Sequence, residues 1–196
     1  MAYKEGIGEN GKLDDLVLRK IDTGQKLYTP ASLSYMRMKN DAKKEGVTID
    51  LSGAYSGYRP CGEKSRGCSD GFTQWCAWEK YKNGTGNLAS DPTDSNGCSS
   101  NHGFGIAVDI KGADAKRWIR TNGVKYGWWW GEAPTEDWHF TYDIKRDTFL
   151  DKKDTPVNNK VTNSKNNFFT YIPYFLIGVI VPVGAYFLVK TINKIK

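Results

Sequence analysis

The sequence predicts an α+β domain followed by a C-terminal transmembrane helix, and three observations carry that prediction. Helix-like and strand-like patterns alternate irregularly over residues 1–150, with close hairpin-like spacing late, which favours α+β over a doubly wound sheet. Residues 168–189 then run without a single charged side chain. As a helix rising 1.5 Å per residue, that run would span roughly 33 Å, enough for a bilayer core. Between the two, residues 151–167 hold five Asn, four Lys and one Pro and read as a polar linker.

Each element follows from local pattern. The stretch to about Tyr28 is polar, with one short apolar run at Leu16-Val17-Leu18. Residues 31–45 look helical, with Leu33, Met36, Met38 and Ala42 as the apolar positions and Gly46 as the stop. Val47 to Leu51 alternates apolar and polar, as a half-buried strand does, and 52–58 is expected to continue extended until Pro60 ends it. Residues 60–100 are rich in Gly, Ser, Asn and Asp, with a helix expected over 72–81. Further strands are expected at 106–110, 124–130 and 138–144, with a helix over 114–122 that ends at Gly123. In the apolar run, Tyr171, Tyr174, Tyr186 and Lys190 sit near the ends, as interface anchors would, and 190–196 forms a basic tail. Pro173 and Pro182 are tolerable in a membrane helix.

The net charge of +6 is unevenly placed. Residues 151–196 hold seven Lys against two Asp, which leaves 21 basic and 20 acidic residues in 1–150. The basic excess therefore belongs to the tail, which argues for a membrane and against nucleic acid as partner. Cys61, Cys68, Cys76 and Cys98 lie close together without a CxxC pair. Disulfides are favoured over free thiols or a second metal, and all three connectivities stay open. No secretory signal is visible, because 1–20 is polar and charged with no apolar core.

The chain has only two histidines, and each stands in a metal-like context. His102 lies seven residues before Asp109, in Ser100-Asn101-His102-Gly103-Phe104-Gly105-Ile106-Ala107-Val108-Asp109. His139 lies three residues after Glu136, in Glu136-Asp137-Trp138-His139. Two imidazoles, a carboxylate and a spare glutamate are what catalytic zinc needs: three protein ligands, an open position, and a base. Gly105 and Ala107 are small, as backbone packed close to such a site requires.

These residues resemble a known family. Ser56-Gly57-Tyr58-Arg59, the Ser-x-His-x-x-Gly-x-Ala-x-Asp string from Ser100 to Asp109, and Glu136-Asp137-Trp138-His139-Phe140 look like the three signatures of the zinc D,D-peptidases of the VanY type. That family, the M15 peptidases, also includes phage L-alanyl-D-glutamate endopeptidase endolysins. The resemblance covers about residues 28–145. It implies a small antiparallel sheet flanked by helices, with His102, Asp109 and His139 binding Zn²⁺ and Glu136 as general base. Arg59 is expected to face the substrate, and Ser100 and Trp138 to contact it. Asp137 departs from the family pattern, which usually has proline there, and leaves open which acid is the base; the spacing favours Glu136.

The resemblance further implies hydrolysis of the peptidoglycan stem peptide, of D-Ala-D-Ala carboxypeptidase or L-Ala-D-Glu endopeptidase type. With a C-terminal apolar segment and no leader, a phage lysis or virion-associated enzyme is expected, with virion proteins as further partners. The domain would then act in the cell wall or periplasm from a membrane, or on a virion. The alternatives are a bacterial tail-anchored peptidase and a non-catalytic zinc-binding module that attaches to the cell wall. The Trp128-Trp129-Trp130 run is expected to send at least one ring into the core, because alternate strand residues face opposite sides.

Overall fold

One antiparallel sheet separates the hydrophobic core from a polar cleft. The structure, a computed structural model, describes residues 4–93 and 98–150. Among these, a two-stranded hairpin, β1 (Leu18–Lys20) and β2 (Lys26–Tyr28), leads into helix α1 (Thr29–Lys44). Strand β3 (Asp50–Leu51), helix α2 (Gln74–Lys82), strand β4 (Ala107–Lys111), helix α3 (Ala113–Asn122), strand β5 (Tyr126–Trp129) and strand β6 (His139–Asp147) follow. The main sheet has the order β3-β4-β6-β5, and every pair in it is antiparallel. The α+β expectation thus stands, with a small antiparallel sheet and helices.

Register decides which side chains face the core. Val108 pairs with Phe140, and Trp128 with Tyr142. Strand side chains alternate, and directly opposed residues share a face. Val108, Ile110, Phe140, Tyr142 and Trp128 therefore form one apolar face, and all are buried. The opposite face carries Asp109 opposite His139, and Thr141 opposite both Ala107 and Trp129. The core and the site lie on the two faces of the same strands.

Helix α1 covers the apolar face. Pro30 sits in its first turn, where a missing N–H costs nothing. Its buried apolar positions are Ala31, Tyr35, Met38 and Ala42, spaced as one helical stripe, with Ser32 and Ser34 buried beside them. This corrects the expected face: Leu33 points outward at 38% exposure and Met36 is only partly covered. A polar tie crosses the core. Ser34 Oγ donates to the Tyr126 carbonyl and accepts from Trp128 Nε1 at 3.1 Å, so the buried indole N–H is satisfied. Trp128 also meets the Tyr35 ring edge-on at 6.1 Å. Helix α3 packs through Ala115, Trp118 and Ile119, and Trp118 Nε1 donates to Glu45 at 2.7 Å.

Three further departures have physical causes. Residues 52–58 form turns rather than an extended strand, because their backbone wraps the β4 backbone at the site. The Ser52 amide donates to the Asp109 carbonyl at 2.8 Å, and the Asp109 amide to the Ser56 carbonyl at 3.1 Å. The strand expected over 47–51 shrinks to Asp50–Leu51, and the Val47 amide instead closes the end of α1 by donating to the Ala42 carbonyl at 2.9 Å. The β1–β2 hairpin lacks a readable alternation, since its strands are short and rich in Lys and Arg; Gly24 closes its turn by donating to the Ile21 carbonyl.

The cysteines pair as Cys61–Cys98 and Cys68–Cys76 and leave none free. Among the described residues no helix is long and apolar enough to cross a membrane. The expected linker 151–167, membrane segment 168–189 and basic tail 190–196 lie outside the described residues.

Candidate metal centre

His102 reaches the cleft from a short 3-10 turn, Asn101–Phe104. The Ser100 hydroxyl caps that turn by accepting from the His102 amide at 3.3 Å. Gly105 ends it with φ of 64°, and its amide donates to the His102 carbonyl at 3.0 Å. A Cβ at this position would lie 2.7 Å from the Tyr28 backbone nitrogen, so glycine is required both for conformation and for space. The chain then enters β4, which turns Asp109 to the same side.

The three expected ligands converge. Their ligand atoms all lie within 4.8 Å of one another, and His102 and His139 are buried. His102 Nε2 is 3.3 Å from Asp109 Oδ1, and His139 Nδ1 is 3.0 Å from the same oxygen. The far nitrogen of His102, Nδ1, lies 2.9 Å from the Gly57 carbonyl and can only donate to it. That bond leaves Nε2 with a free lone pair aimed at Asp109. Burial pushes the His102 imidazole below the usual histidine range, which favours the neutral form a metal ligand needs. Burial opposes charge on Asp109, yet the neighbouring histidines hold its carboxyl well below the usual carboxylate range. Two imidazoles and a carboxylate, with one histidine already oriented by a carbonyl, are a donor set that fits Zn²⁺.

Glu136 stands on the turn before β6. Its amide donates to the Ala133 carbonyl at 2.9 Å, and its carbonyl accepts from the His139 amide at 3.1 Å. Burial raises its carboxyl above the usual glutamate value; His139 and Arg59 oppose the shift and Asp109 adds to it. Asp137 points elsewhere. It is exposed, accepts from Lys116 Nζ at 2.6 Å, and its carbonyl accepts from Arg120 on α3 at 3.0 Å. Of the two acids, Glu136 lines the cleft and Asp137 does not.

Arg59 is held beside Asp109. Its amide donates to the His102 carbonyl at 3.1 Å. Nη1 donates to Gln74 Oε1 at 3.1 Å, and Nη2 to the Tyr55 carbonyl at 3.3 Å. Nη2 is also 3.9 Å from Asp109 Oδ2. The guanidinium lies over the Phe72 ring at 5.5 Å, and Phe72 stacks on Tyr55 at 4.3 Å. Burial pulls the Arg59 pKa down, with Asp109 and Glu136 opposing.

These groups line one cleft of about 790 Å³, together with Ser100 and Trp138. Phe72, Lys80 and residues 85–90 form a wall of it, so the cysteine-bearing segment shapes the cleft. Of the tryptophan run, Trp128 is core, Trp129 lines the cleft, and Trp130 is exposed with Arg120 over its ring at 4.8 Å. Sequence patterns missed Gln74, which is buried and also donates to the Ser90 carbonyl at 2.7 Å. They also missed Tyr55, Phe72 and Asn101. Only Asn101 carried a signal, its place beside His102 in the second signature.

No protein-family profile matches the chain, and no curated protein does. Solved structures do. The chain is similar to the vancomycin-resistance D,D-pentapeptidase VanY of a VanB-type cassette, solved as a point variant in complex with Zn(II), at 19% identity and TM-score 0.45 over 64% of this chain and 77% of that one. The same enzyme with D-alanine-D-alanine gives 18% identity and TM-score 0.45 over 64% and 76%. DacB from Streptococcus pneumoniae gives 19% identity and TM-score 0.44 over 72% and 77%.

Proposed function

We propose that this chain is a zinc-dependent peptidase that hydrolyses the stem peptide of bacterial peptidoglycan. The observation that carries the reading is the convergence of His102, Asp109 and His139 in the cleft that Glu136 and Arg59 also line. The three signatures in the sequence support the substrate class.

His102 Nε2, the Asp109 carboxylate and His139 Nδ1 would hold the ion. Bound zinc supplies Lewis acidity, which acidifies a water and polarises a carbonyl. Glu136 takes the proton of the attacking water as its oxygen bonds to the scissile carbon. The same carboxyl returns a proton to the departing amine as the C–N bond breaks. A carboxyl raised by burial suits both halves of that exchange, since it accepts and releases a proton nearer neutrality. Arg59 offers a fixed cation to a substrate carboxylate or to the developing oxyanion, a role its planar fork serves better than a lysine would. Ser100 and Trp138 line the cleft beside the peptide.

The finer reading is a phage lysis or virion-associated enzyme, tethered by residues 168–189. Both disulfides support work in an oxidising compartment, at the cell wall or periplasm. Full-length protein loaded with zinc and incubated with purified peptidoglycan should release peptides whose masses identify the bond cut. Glu136→Ala should abolish release while zinc stays bound. Zinc and wall binding without cleavage would instead support the non-catalytic attachment module.

A further inference from the structure

The sheet face that bears Asp109 and His139 also bears Thr141, two residues beyond His139 and buried. Its hydroxyl is 3.4 Å from His139 Nε2, the ring nitrogen turned away from Asp109. Asn101 Nδ2 donates to the same hydroxyl at 3.3 Å and to Glu132 Oε2. The carboxylate fixes the amide: an ionised Glu132 only accepts, so the NH₂ end of Asn101 must face it. Both Nδ2 hydrogens are then used, one on each partner. Asn101 Oδ1 stays buried without a hydrogen bond among the described residues, a cost borne for this orientation.

We infer that Thr141, held by Asn101, is the positioning residue that presents His139 to the metal through Nδ1. This inference rests on the metal-site reading above. The Thr141 oxygen accepts one hydrogen from Asn101 and keeps a second lone pair for His139 Nε2–H. With the ion bound, Nδ1 would give its lone pair, and Nε2 would then carry the proton that Thr141 accepts. His102 is fixed the other way, with its proton on Nδ1 against the Gly57 carbonyl and its lone pair on Nε2. The two histidines thus serve with opposite nitrogens. Asn101 links them: its backbone belongs to the turn that carries His102, while its amide braces the strand that carries His139. One side chain sets the spacing of both imidazoles.

The chain's two histidines make the inference directly observable. In zinc-loaded, ¹⁵N-labelled full-length protein in detergent micelles, long-range ¹H–¹⁵N NMR should show one Nδ1-protonated and one Nε2-protonated ring. Two rings of the same tautomer would overturn the inference without any variant. Chelator competition should show zinc affinity falling about 10- to 100-fold in Thr141→Val, with recovery in Thr141→Ser, the range found when outer-shell partners of metal ligands are lost. Unchanged affinity in Thr141→Val would also overturn it. Failure of the wild-type chain to bind zinc at all would instead remove the metal-site reading on which the inference stands.

Discussion

Replacing Gln74 with alanine removes one of two side-chain hydrogen bonds that hold the Arg59 guanidinium. Nη1 donates to Gln74 at 3.1 Å and Nη2 to the Tyr55 carbonyl at 3.3 Å, while the buried Nε has no partner among the described residues. The variant therefore leaves a largely buried cation with a single directional bond. It also frees the Ser90 carbonyl on the cleft wall. A hydrogen bond to a charged group contributes about 1.5–3 kcal/mol. If that energy serves to aim Arg59 at the substrate, Gln74→Ala should lower kcat/KM by roughly 10- to 150-fold, since 1.4 kcal/mol is about tenfold. The assay is a double-mutant cycle with Arg59→Ala, read as stem-peptide release. A residue that acts through Arg59 should add almost nothing once Arg59 is gone. Equal losses from Gln74→Ala in both backgrounds, or no loss in the parent, would refute the argument and reduce Gln74 to a packing residue.

Other expectations follow from the same geometry. Glu136→Gln should retain zinc and lose on the order of 10²- to 10⁴-fold in kcat, measured by peptide release with metal analysis of the same sample. Burial raises the proton affinity of Glu136, so the base is lost on acidification earlier than a free glutamate would be; the acid limb of the rate profile should lie above 4.5 and disappear in Glu136→Gln. Asp137→Asn should change activity little, because its carboxylate is spent on an exposed ion pair with Lys116, worth at most about 1 kcal/mol. Breaking Cys61–Cys98, by reduction or by a paired Cys→Ser exchange, should lower the Tm, with a loop-entropy loss of roughly 4 kcal/mol. It should cost activity as well, since Cys61 lies two residues after Arg59 and Cys98 two before Ser100.

The candidate metal group was legible because its chemistry is rare and its order is local. Two histidines, one Asp seven residues on and one Glu three residues back left little choice, and strand parity then brings Asp109 and His139 to one face. The support around them was not legible. Gln74 meets Arg59 across a turn and a loop, and Asn101 meets Thr141 forty residues away, so neither contact leaves a spacing to detect. Cysteine pairing was hidden for the same reason, because four thiols in an irregular segment carry no register. The face of α1 was legible in part: Met38 and Ala42 are core as expected, but Leu33, the more apolar residue, points outward while Ala31 and Tyr35 complete the stripe. The extended stretch expected over 52–58 failed because the Ser52 amide and the Ser56 carbonyl both bond the Asp109 backbone, while the Ser56 amide turns back to the Gly53 carbonyl.

Because core and site occupy opposite faces of the same strands, the domain reads length as strictly as identity. One residue inserted in β6 between His139 and Tyr142 would exchange its two faces, sending an aromatic toward the ion position and a polar group into the core. For that insertion, activity and folding would fail together. The wall between Cys61 and Cys98 carries no such parity, and a disulfide closes its ends. Loops of altered length grafted over residues 85–89, with Phe72, Gln74 and Ser90 kept to hold Arg59, should redirect what the cleft accepts, which makes that stretch of wall the place to engineer specificity.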